Sequence, residues 1–143
     1  MPIMTQKRIY RSDLQNNPNV LYVFGDNVER VGLGGQAAEM RGEPNAIGVA
    51  TKWKPTMNMD AFFYDRGGVL PHMATEDDAK RIILSDMLPI RLALNTGRTV
   101  VLPEDGIGTG LSKLPLYAPR LDRLIKNTFA EMTENYDRYG KTL

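Results

Sequence analysis

The stretch NVLYVFGDN, residues 19–27, decides the fold class of this chain. Its centre is a continuous apolar run, which predicts a strand buried on both faces. Gly25, Asp26 and Asn27 are turn-forming residues that predict where the strand stops. Strands of this kind are typical of parallel sheets that helices cover on both faces. We therefore expect a central strand of an α/β domain.

Further strands and helices alternate with this strand along the sequence. NAIGVAT at residues 45–51 and RTVVLP at residues 98–103 predict two more strands. Helices are predicted in three segments. They are GQAAEMR at residues 35–41, a helix that starts at Thr75 and is kinked or divided by Pro89, and residues 116–136. Residues 61–69 are either an edge strand or an aromatic loop, and residues 137–143 are expected to be frayed. The alternation predicts one three-layer domain over residues 1–143, with a largely parallel mixed sheet and helices on both faces.

The composition limits the possible functions. The chain has 143 residues, the size of one domain, and its net charge of +1 gives no general basic field for nucleic acid. It has no cysteine and a single histidine, His72, which excludes thiolate and histidine metal sites. We predict no metal and no cofactor. No apolar run reaches the ~20 residues of a membrane span, and no signal peptide is evident, so we expect a cytoplasmic protein without a membrane partner.

Three polar or glycine-rich segments follow the predicted strands. They are GDN at residues 25–27, TKW at residues 51–53 and EDGIGTGLS at residues 104–112. Because ligands of open α/β sheets bind outside the carboxyl ends of the strands, we expect these segments to meet. The glycine-rich loops at residues 32–35 and 106–110 either make tight turns or present backbone N–H groups to phosphate. The presence of two such loops favours a phosphate-bearing ligand.

Two familiar phosphate-binding fingerprints do not fit. GTGLSK, residues 108–113, lacks the Gly-Lys-Ser/Thr ending of the triphosphatase loop, since Leu114 follows Lys113. GLGGQA, residues 32–37, has the glycine spacing of the dinucleotide fingerprint but lies several residues beyond its strand. The next predicted strand ends in Lys52 instead of an acidic residue. We therefore expect neither a triphosphatase nor a dehydrogenase.

Side chains near these strand ends each allow two interpretations. Lys52 is either a solvated lysine or, beside the glycine loops, a phosphate contact or a nucleophile whose pKa burial lowers. Trp53 and the aromatic residues 62–64 either stack on a base or cover the core. We favour a ligand contact for Trp53 and the core for Phe62. His72 is expected to fill or cap a loop.

The order of these motifs resembles that of a macrodomain, the α/β fold that binds ADP-ribose. YVFGDN, residues 22–27, is similar to the family's first strand, whose aspartate recognises the adenine amine. GLGGQAAEM, residues 32–40, is similar to the loop and helix that surround the distal ribose and diphosphate. VVLPEDGIGTGLSKLP, residues 100–115, is similar to the second phosphate loop. The resemblance spans residues 20–131 and implies that Asp26 reads adenine while both loops bind the diphosphate.

AIGVATKW, residues 46–53, resembles one branch of that family, the terminal ADP-ribose glycohydrolases and the antitoxin macrodomains that remove ADP-ribose from DNA. A lysine carries the chemistry in that branch, which implies a catalytic role for Lys52. Glycohydrolases with a partner aspartate carry it just after Gly-x-Gly-Leu, where this chain has Ser112, and Asp105 is the candidate to replace it. The predicted ligand-binding residues are Asp26, Asn27, Gly34, Gly35, Gln36, Thr51, Trp53, Gly106, Ile107, Gly108, Thr109, Gly110, Leu111 and Ser112.

The resemblance implies that the chain binds ADP-ribose and removes it by hydrolysis from a modified protein or DNA. The alternative is a binding module or nucleotide sponge that uses the same cleft without turnover. Lys52 favours the enzyme, whereas Ser112 in the place of the acid favours the binding module. The expected partners are ADP-ribose or an ADP-ribosylated macromolecule, such as ADP-ribosylated DNA.

Overall fold

Strands and helices alternate along the chain. The computed structural model describes residues 2–65 and 76–142. The elements in order are β1 (Ile3–Gln6), α1 (Arg11–Asn16), β2 (Leu21–Asn27), α2 (Ala37–Met40), β3 (Ala46–Lys52), a short 3₁₀ helix (Met59–Ala61), α3 (Glu76–Asn95), β4 (Val100–Pro103), α4 (Leu114–Tyr117) and α5 (Pro119–Tyr139). This alternation confirms the α/β class that the sequence predicts.

The strands form one parallel sheet. Its four strands lie in the order β1-β4-β2-β3, and all strand pairs in the described residues are parallel. β2 lies inside the sheet between β4 and β3, as its continuous apolar sequence predicts. The one antiparallel contact in the described ranges is an isolated bridge between Lys52 and Phe62.

Helices cover both faces of the sheet. Leu21 and Val23 of β2 enter one hydrophobic core, and the alternate residues Tyr22 and Phe24 enter another. Helices α3, α4 and α5 pack on the first core, whereas α1 and α2 pack on the second. The predicted three-layer arrangement is therefore confirmed. Within the described ranges, no helix has the length and apolarity that crossing a membrane requires.

Two prolines act differently in the helices. The predicted helix at residues 116–136 is in fact two helices, α4 and α5, which are separated at Ala118 (φ −140°, ψ 64°) because Pro119 disfavours a helical conformation in the residue before it. Pro89, by contrast, does not divide α3. Pro89 and Ser85 are both exposed, so water can reach the Ser85 carbonyl that the proline leaves without a donor.

The ends of the chain are more ordered than the sequence suggests. The short strand β1 pairs with β4 at the edge of the sheet, although its sequence carries no strong strand pattern. At the other end, α5 continues to Tyr139, and the backbone N–H of Thr142 donates to Oδ1 of Asn95 at 2.7 Å. The expectation of a frayed segment at residues 137–143 was therefore wrong for its described part.

Ala61 ends the 3₁₀ helix, and residues 62–65 form a loop, not a strand, which is tied to β3 by the single bridge of Phe62. The predicted cap Thr75 and the loop residue His72 lie outside the described residues.

The sheet topology also determines where a ligand can bind. Since the strands are parallel, all their carboxyl ends lie at one edge of the sheet. The neighbouring strands β2 and β4 continue to helices on opposite faces, α2 and α4 respectively. Such a switch point opens a crevice between the loops that follow the two strands, and this is where open α/β sheets bind ligands.

Candidate functional site

A cavity of about 330 Å³ lies at this edge of the sheet. It brings together thirteen of the predicted residues: Asp26, Asn27, Gly34, Gly35, Gln36, Lys52, Asp105, Gly106, Gly108, Thr109, Gly110, Leu111 and Ser112. The first glycine loop, residues 32–35, and the second glycine loop, residues 106–112, both contribute to its lining. An added Cβ at Gly34 would lie 2.7 Å from Cδ1 of Leu111, so the two loops touch each other beside the cavity.

Both loops carry backbone N–H groups that have no acceptor inside the protein. In residues 2–65 and 76–142, the amides of residues 32–36 and 107–112 donate no hydrogen bond. Gly35 (φ +57°) and Gly108 (φ +84°) adopt left-handed conformations, which glycine takes without strain. Consecutive free amides form concave sites for anions. The cavity therefore has hydrogen-bond donors in both loops.

The second glycine loop packs tightly against the strand ends. An added Cβ at Gly25 of β2 would lie 3.2 Å from the backbone nitrogen of Gly108. An added Cβ at Gly108 would lie 3.0 Å from Cβ of Leu114 and 3.1 Å from Cγ2 of Thr51. Ile107, which was predicted to bind the ligand, is buried in the first core and does not line the cavity. Glycine is thus required here for close packing as well as for its conformation.

Side chains, instead of core packing, hold the first glycine loop. Arg41, which follows α2, donates from Nε to the Gly32 carbonyl at 2.7 Å and from Nη1 to the Arg30 carbonyl at 2.9 Å. Its Nη2 lies 2.5 Å from Oδ1 of Asp26, and its Nη1 lies 3.2 Å from Oδ2. Arg41 therefore ties the loop to the end of β2.

The Asp26 carboxylate fits over the neighbouring strand because that strand has no side chain at Gly48. An added Cβ at Gly48 would lie 2.5 Å from Oδ2 of Asp26. The Asp26 side chain is only 3% exposed. The backbone N–H of Asn27 also donates to Oδ1 at 2.8 Å. Asp26 lines the cavity, but its oxygens are already bonded within the protein.

Lys52 lies at the end of β3 and is only 6% exposed. Its Nζ donates to the Thr56 carbonyl at 2.9 Å and lies 5.3 Å from the centre of the Phe62 ring. Burial removes water from the ammonium group and lowers the pKa of Lys52 below its ordinary value of 10.5. Within the described residues, no carboxylate lies within ion-pair distance of Nζ. A buried lysine without an acidic partner is suited to a nucleophile or to contact with an anionic ligand.

A chain of hydroxyl groups connects Ser112 to β2. The Thr51 hydroxyl donates to the Asp26 carbonyl at 3.0 Å. Since its only proton is used there, Thr51 must accept the 2.6 Å hydrogen bond from the Ser112 hydroxyl. The Ser112 oxygen therefore has only acceptor capacity left for the cavity. Thr51 itself is fully buried and supports the site without lining it.

Asp105 and Trp53 were also predicted to be site residues, and the structure places them differently. Asp105 lines the cavity and is exposed, but it forms no ion pair with Lys52. Trp53 does not line the cavity. It packs against the first core and meets the Phe63 ring edge-on, with the ring centres 4.8 Å apart. Its position at a strand end suggested a ligand contact, but the chain turns there and directs the ring toward the core.

Sequence reasoning missed Lys7 and Arg41, which also line the cavity. Lys7 directly follows β1, whose carboxyl end lies at the same edge as the others, and recognising β1 as a strand would have suggested it. Arg41 was assigned only to the end of a helix. Its proximity to Asp26 is a tertiary contact that has no local signal in the sequence. The described residues contain no cluster of three or more acidic, histidine or cysteine side chains placed to hold a metal ion.

Comparison with known proteins identifies a family but no activity. The profile of a family of unknown function, DUF7831, matches residues 4–128. The chain belongs to this family. Searches of curated proteins and of solved structures gave no significant match. The matched range includes β2, β3, β4 and all of β1 except Ile3, together with both glycine loops and Lys52. The cavity therefore lies within the part of the chain that the family shares.

Proposed function

We propose that this member of DUF7831 binds ADP-ribose in the cavity at the sheet edge. The observation that carries the proposal is the pair of glycine loops whose free amides, residues 32–36 and 107–112, flank one cavity. A diphosphate offers many acceptor oxygens and two negative charges, which backbone amide sites of this kind bind. The volume of about 330 Å³ lies within the range of ligand sites, roughly 300–1,000 Å³.

The charges around the cavity support an anionic ligand. Lys7, Arg41 and Lys52 line it, against the two acids Asp26 and Asp105. Arg41 and Asp26 neutralise each other in their ion pair. The remaining charges are two lysines and one exposed carboxylate. The site is thus locally positive although the whole chain carries only +1.

We propose further that the protein removes ADP-ribose from a modified protein or DNA in the cytoplasm. The resemblance to the lysine-bearing glycohydrolases motivates this step, and the lowered pKa of Lys52 supports it because more of the amine is unprotonated at a given pH. The neutral amine would attack the anomeric carbon of the distal ribose while the bond to the macromolecule breaks, and the proton lost by the alkylated amine would pass to the leaving group. Water would then release ADP-ribose from the lysine. The lack of cysteine agrees with a reducing compartment.

A second candidate is a binding module that uses the same cavity without turnover. It is favoured by the surroundings of Lys52. Among the described residues, no carboxylate pairs with Nζ of Lys52. Asp105 is exposed, and the Ser112 hydroxyl uses its proton in the hydrogen bond to Thr51. The site therefore has no evident general base beside the lysine.

Binding is tested with a variant that fills the cavity and leaves the fold intact. Gly110 lines the cavity, its φ lies outside the left-handed region, and an added Cβ would meet no atom within 4 Å. We expect Gly110→Val to keep the melting temperature within about 2 °C, because the new side chain causes no clash. The ADP-ribose affinity should fall at least roughly tenfold by calorimetry. Absence of wild-type binding to ADP-ribose, AMP and NAD would refute the proposal.

Turnover is tested separately by incubating the protein with ADP-ribosylated protein and ADP-ribosylated DNA and measuring released ADP-ribose. Lys52→Arg should keep ligand binding and lose release, because a guanidinium stays protonated and is no nucleophile. Binding by the wild type without release from either substrate would favour the binding module. Release that survives Lys52→Arg would refute the lysine mechanism.

A further inference from the structure

Both oxygens of the Asp26 carboxylate already accept hydrogen bonds inside the protein. Arg41 donates to both of its oxygens, and the backbone N–H of Asn27 donates to Oδ1. A ligand amino group would have to compete with a guanidinium for these oxygens. The acceptors that are available to a ligand must therefore be sought elsewhere in the same wall of the cavity.

Asn27 provides one such acceptor. Its Nδ2 donates to the Val31 carbonyl at 2.7 Å, and this hydrogen bond fixes which end of the amide is nitrogen. Its Oδ1 is buried and has no donor in the described chain. The residue is 6% exposed and lines the cavity. Buried polar atoms in native proteins nearly always have a partner, so an orphaned oxygen beside a cavity indicates a missing donor.

Gln36 provides a second acceptor in the same cavity. It precedes α2 at the end of the first glycine loop, and its Oε1 is also buried without a donor in the described chain. The cavity therefore has two complementary parts. The glycine loops present donors without acceptors, whereas Asn27 and Gln36 present acceptors without donors.

We propose that Asn27 and Gln36 bind the uncharged, hydrogen-bond-donating part of the nucleotide through its amino or hydroxyl groups. They thereby orient the ligand while the loops hold the diphosphate. This inference rests on the proposed nucleotide binding. It gives Asn27 and Gln36 the recognition role that the resemblance implied for Asp26, which serves as the anchor of Arg41.

Gln36→Met is the sharpest test, because methionine has nearly the same length and no strong acceptor. The Gln36 side chain makes no hydrogen bond in the described chain, and its backbone carbonyl, which accepts from the N–H groups of Glu39 and Met40, is kept in the variant. The variant should therefore not lower the melting temperature. The ADP-ribose affinity should fall about three- to tenfold, as expected when one neutral hydrogen bond is lost. The control is Gln15→Met, at an exposed position of α1 outside the cavity lining. It loses an exposed hydrogen bond to Oε1 of Glu43 at 3.3 Å, so the melting temperature should change little and the ADP-ribose affinity should not change.

Ligand analogues identify the donor by calorimetry. Wild type and Gln36→Met are each titrated with ADP-ribose, ADP, IDP, which lacks the amino group, and 2′,3′-dideoxy-ADP, which lacks the ribose hydroxyls. The loss of affinity caused by Gln36→Met should disappear with the ligand that lacks the group bound by Gln36. If the loss of affinity disappears with IDP, Gln36 binds the amino group of the base. If it disappears with 2′,3′-dideoxy-ADP, Gln36 binds the proximal ribose. If it is already absent with ADP, Gln36 binds the distal ribose.

Two results would overturn the inference while leaving the proposed function intact. They are unchanged ADP-ribose affinity in Gln36→Met and an equal penalty with all four ligands. Failure of wild type to bind any of the ligands would instead refute the proposed function, and the inference would fall with it.

Discussion

The two glycine loops have similar sequences but different structural support. The second glycine loop is part of the packed core: Ile107 is buried, and Gly108 lies against Leu114 and Thr51. The first glycine loop contacts little of the core and is held by polar side chains, chiefly Arg41 and Asn27, which bond to its carbonyl groups and to that of Val31. An added Cβ at Gly35 meets no atom within 4 Å.

Glycine therefore has two distinct roles in the loops that line this cavity. At Gly108 of the second loop, glycine allows backbone and core to approach closely, so a substitution at this position acts on folding. In the first loop, glycine allows the left-handed conformation at Gly35, and the loop position depends on hydrogen bonds from Arg41. We therefore expect variants of the two loops to separate stability from ligand binding.

The largest effect is expected for Gly108→Val. Valine at φ +84° is strained, and its side chain would collide with Leu114 and Thr51, to which an added Cβ already lies within 3.1 Å. We expect the free energy of unfolding to fall by about 3–5 kcal/mol, measured by urea denaturation. Gly110→Val, in the same loop but without these contacts, should change it by less than about 0.5 kcal/mol.

Equal stability of the two variants would contradict this contrast. It would mean that the backbone at Gly108 shifts freely and that the second loop is no more part of the core than the first.

A smaller effect is expected for Arg41→Met. The substitution removes the nearer cation of the Asp26 carboxylate, which is 3% exposed, and releases the first glycine loop. Only Arg30 remains, with its Nη1 3.9 Å from Oδ2 of Asp26. We expect a loss of about 2–4 kcal/mol, because a poorly compensated buried charge is costly, although the Arg41 guanidinium is itself 21% exposed. The double variant Asp26→Asn with Arg41→Met should recover part of this loss, since the charge is removed.

The control is Arg138→Met. It breaks an exposed i,i+4 pair with Glu134 on α5 and should change stability by less than about 0.5 kcal/mol. If the Arg41 variant is no less stable than this control, the ion pair with Asp26 is not what holds the first loop.

Much of the fold was predictable because it depends on local patterns. The apolar runs gave β2, β3 and β4, and the parallel arrangement followed from their alternation with helices. The convergence of Asp26, Lys52 and the second glycine loop on one cavity also follows, since parallel strands share a carboxyl edge. Pattern reasoning was sufficient wherever periodicity and chain order determine position.

The support of the site was not predictable, because it depends on contacts between distant residues. Gly48 looks like an ordinary glycine in a strand, yet its missing side chain makes room for Asp26 of the neighbouring strand. Only the register of the two strands, which pairs Asp26 with Ala50, brings them together. Trp53 shows the same limit, since its ring direction depends on Phe63 and on the turn after β3.

The smallest predicted effect concerns pH and isolates Lys52 from both loops, whose backbone amides do not titrate. Burial lowers the pKa of Lys52, so its ammonium loses its proton at a pH below the ordinary 10.5. Below this pKa the lysine is charged and attracts the diphosphate; above it the attraction is lost. ADP-ribose affinity should therefore decrease as the pH rises through the lowered pKa, by a few-fold, since one charge contact contributes on the order of 1 kcal/mol. Any turnover should increase over the same interval, because the neutral amine is the nucleophile.

Calorimetry across that pH range compares the ADP-ribose affinities of wild type and Lys52→Arg. The arginine variant should show no such decrease because its cation persists. Parallel pH profiles in the two proteins would contradict the assignment of the pH dependence to Lys52.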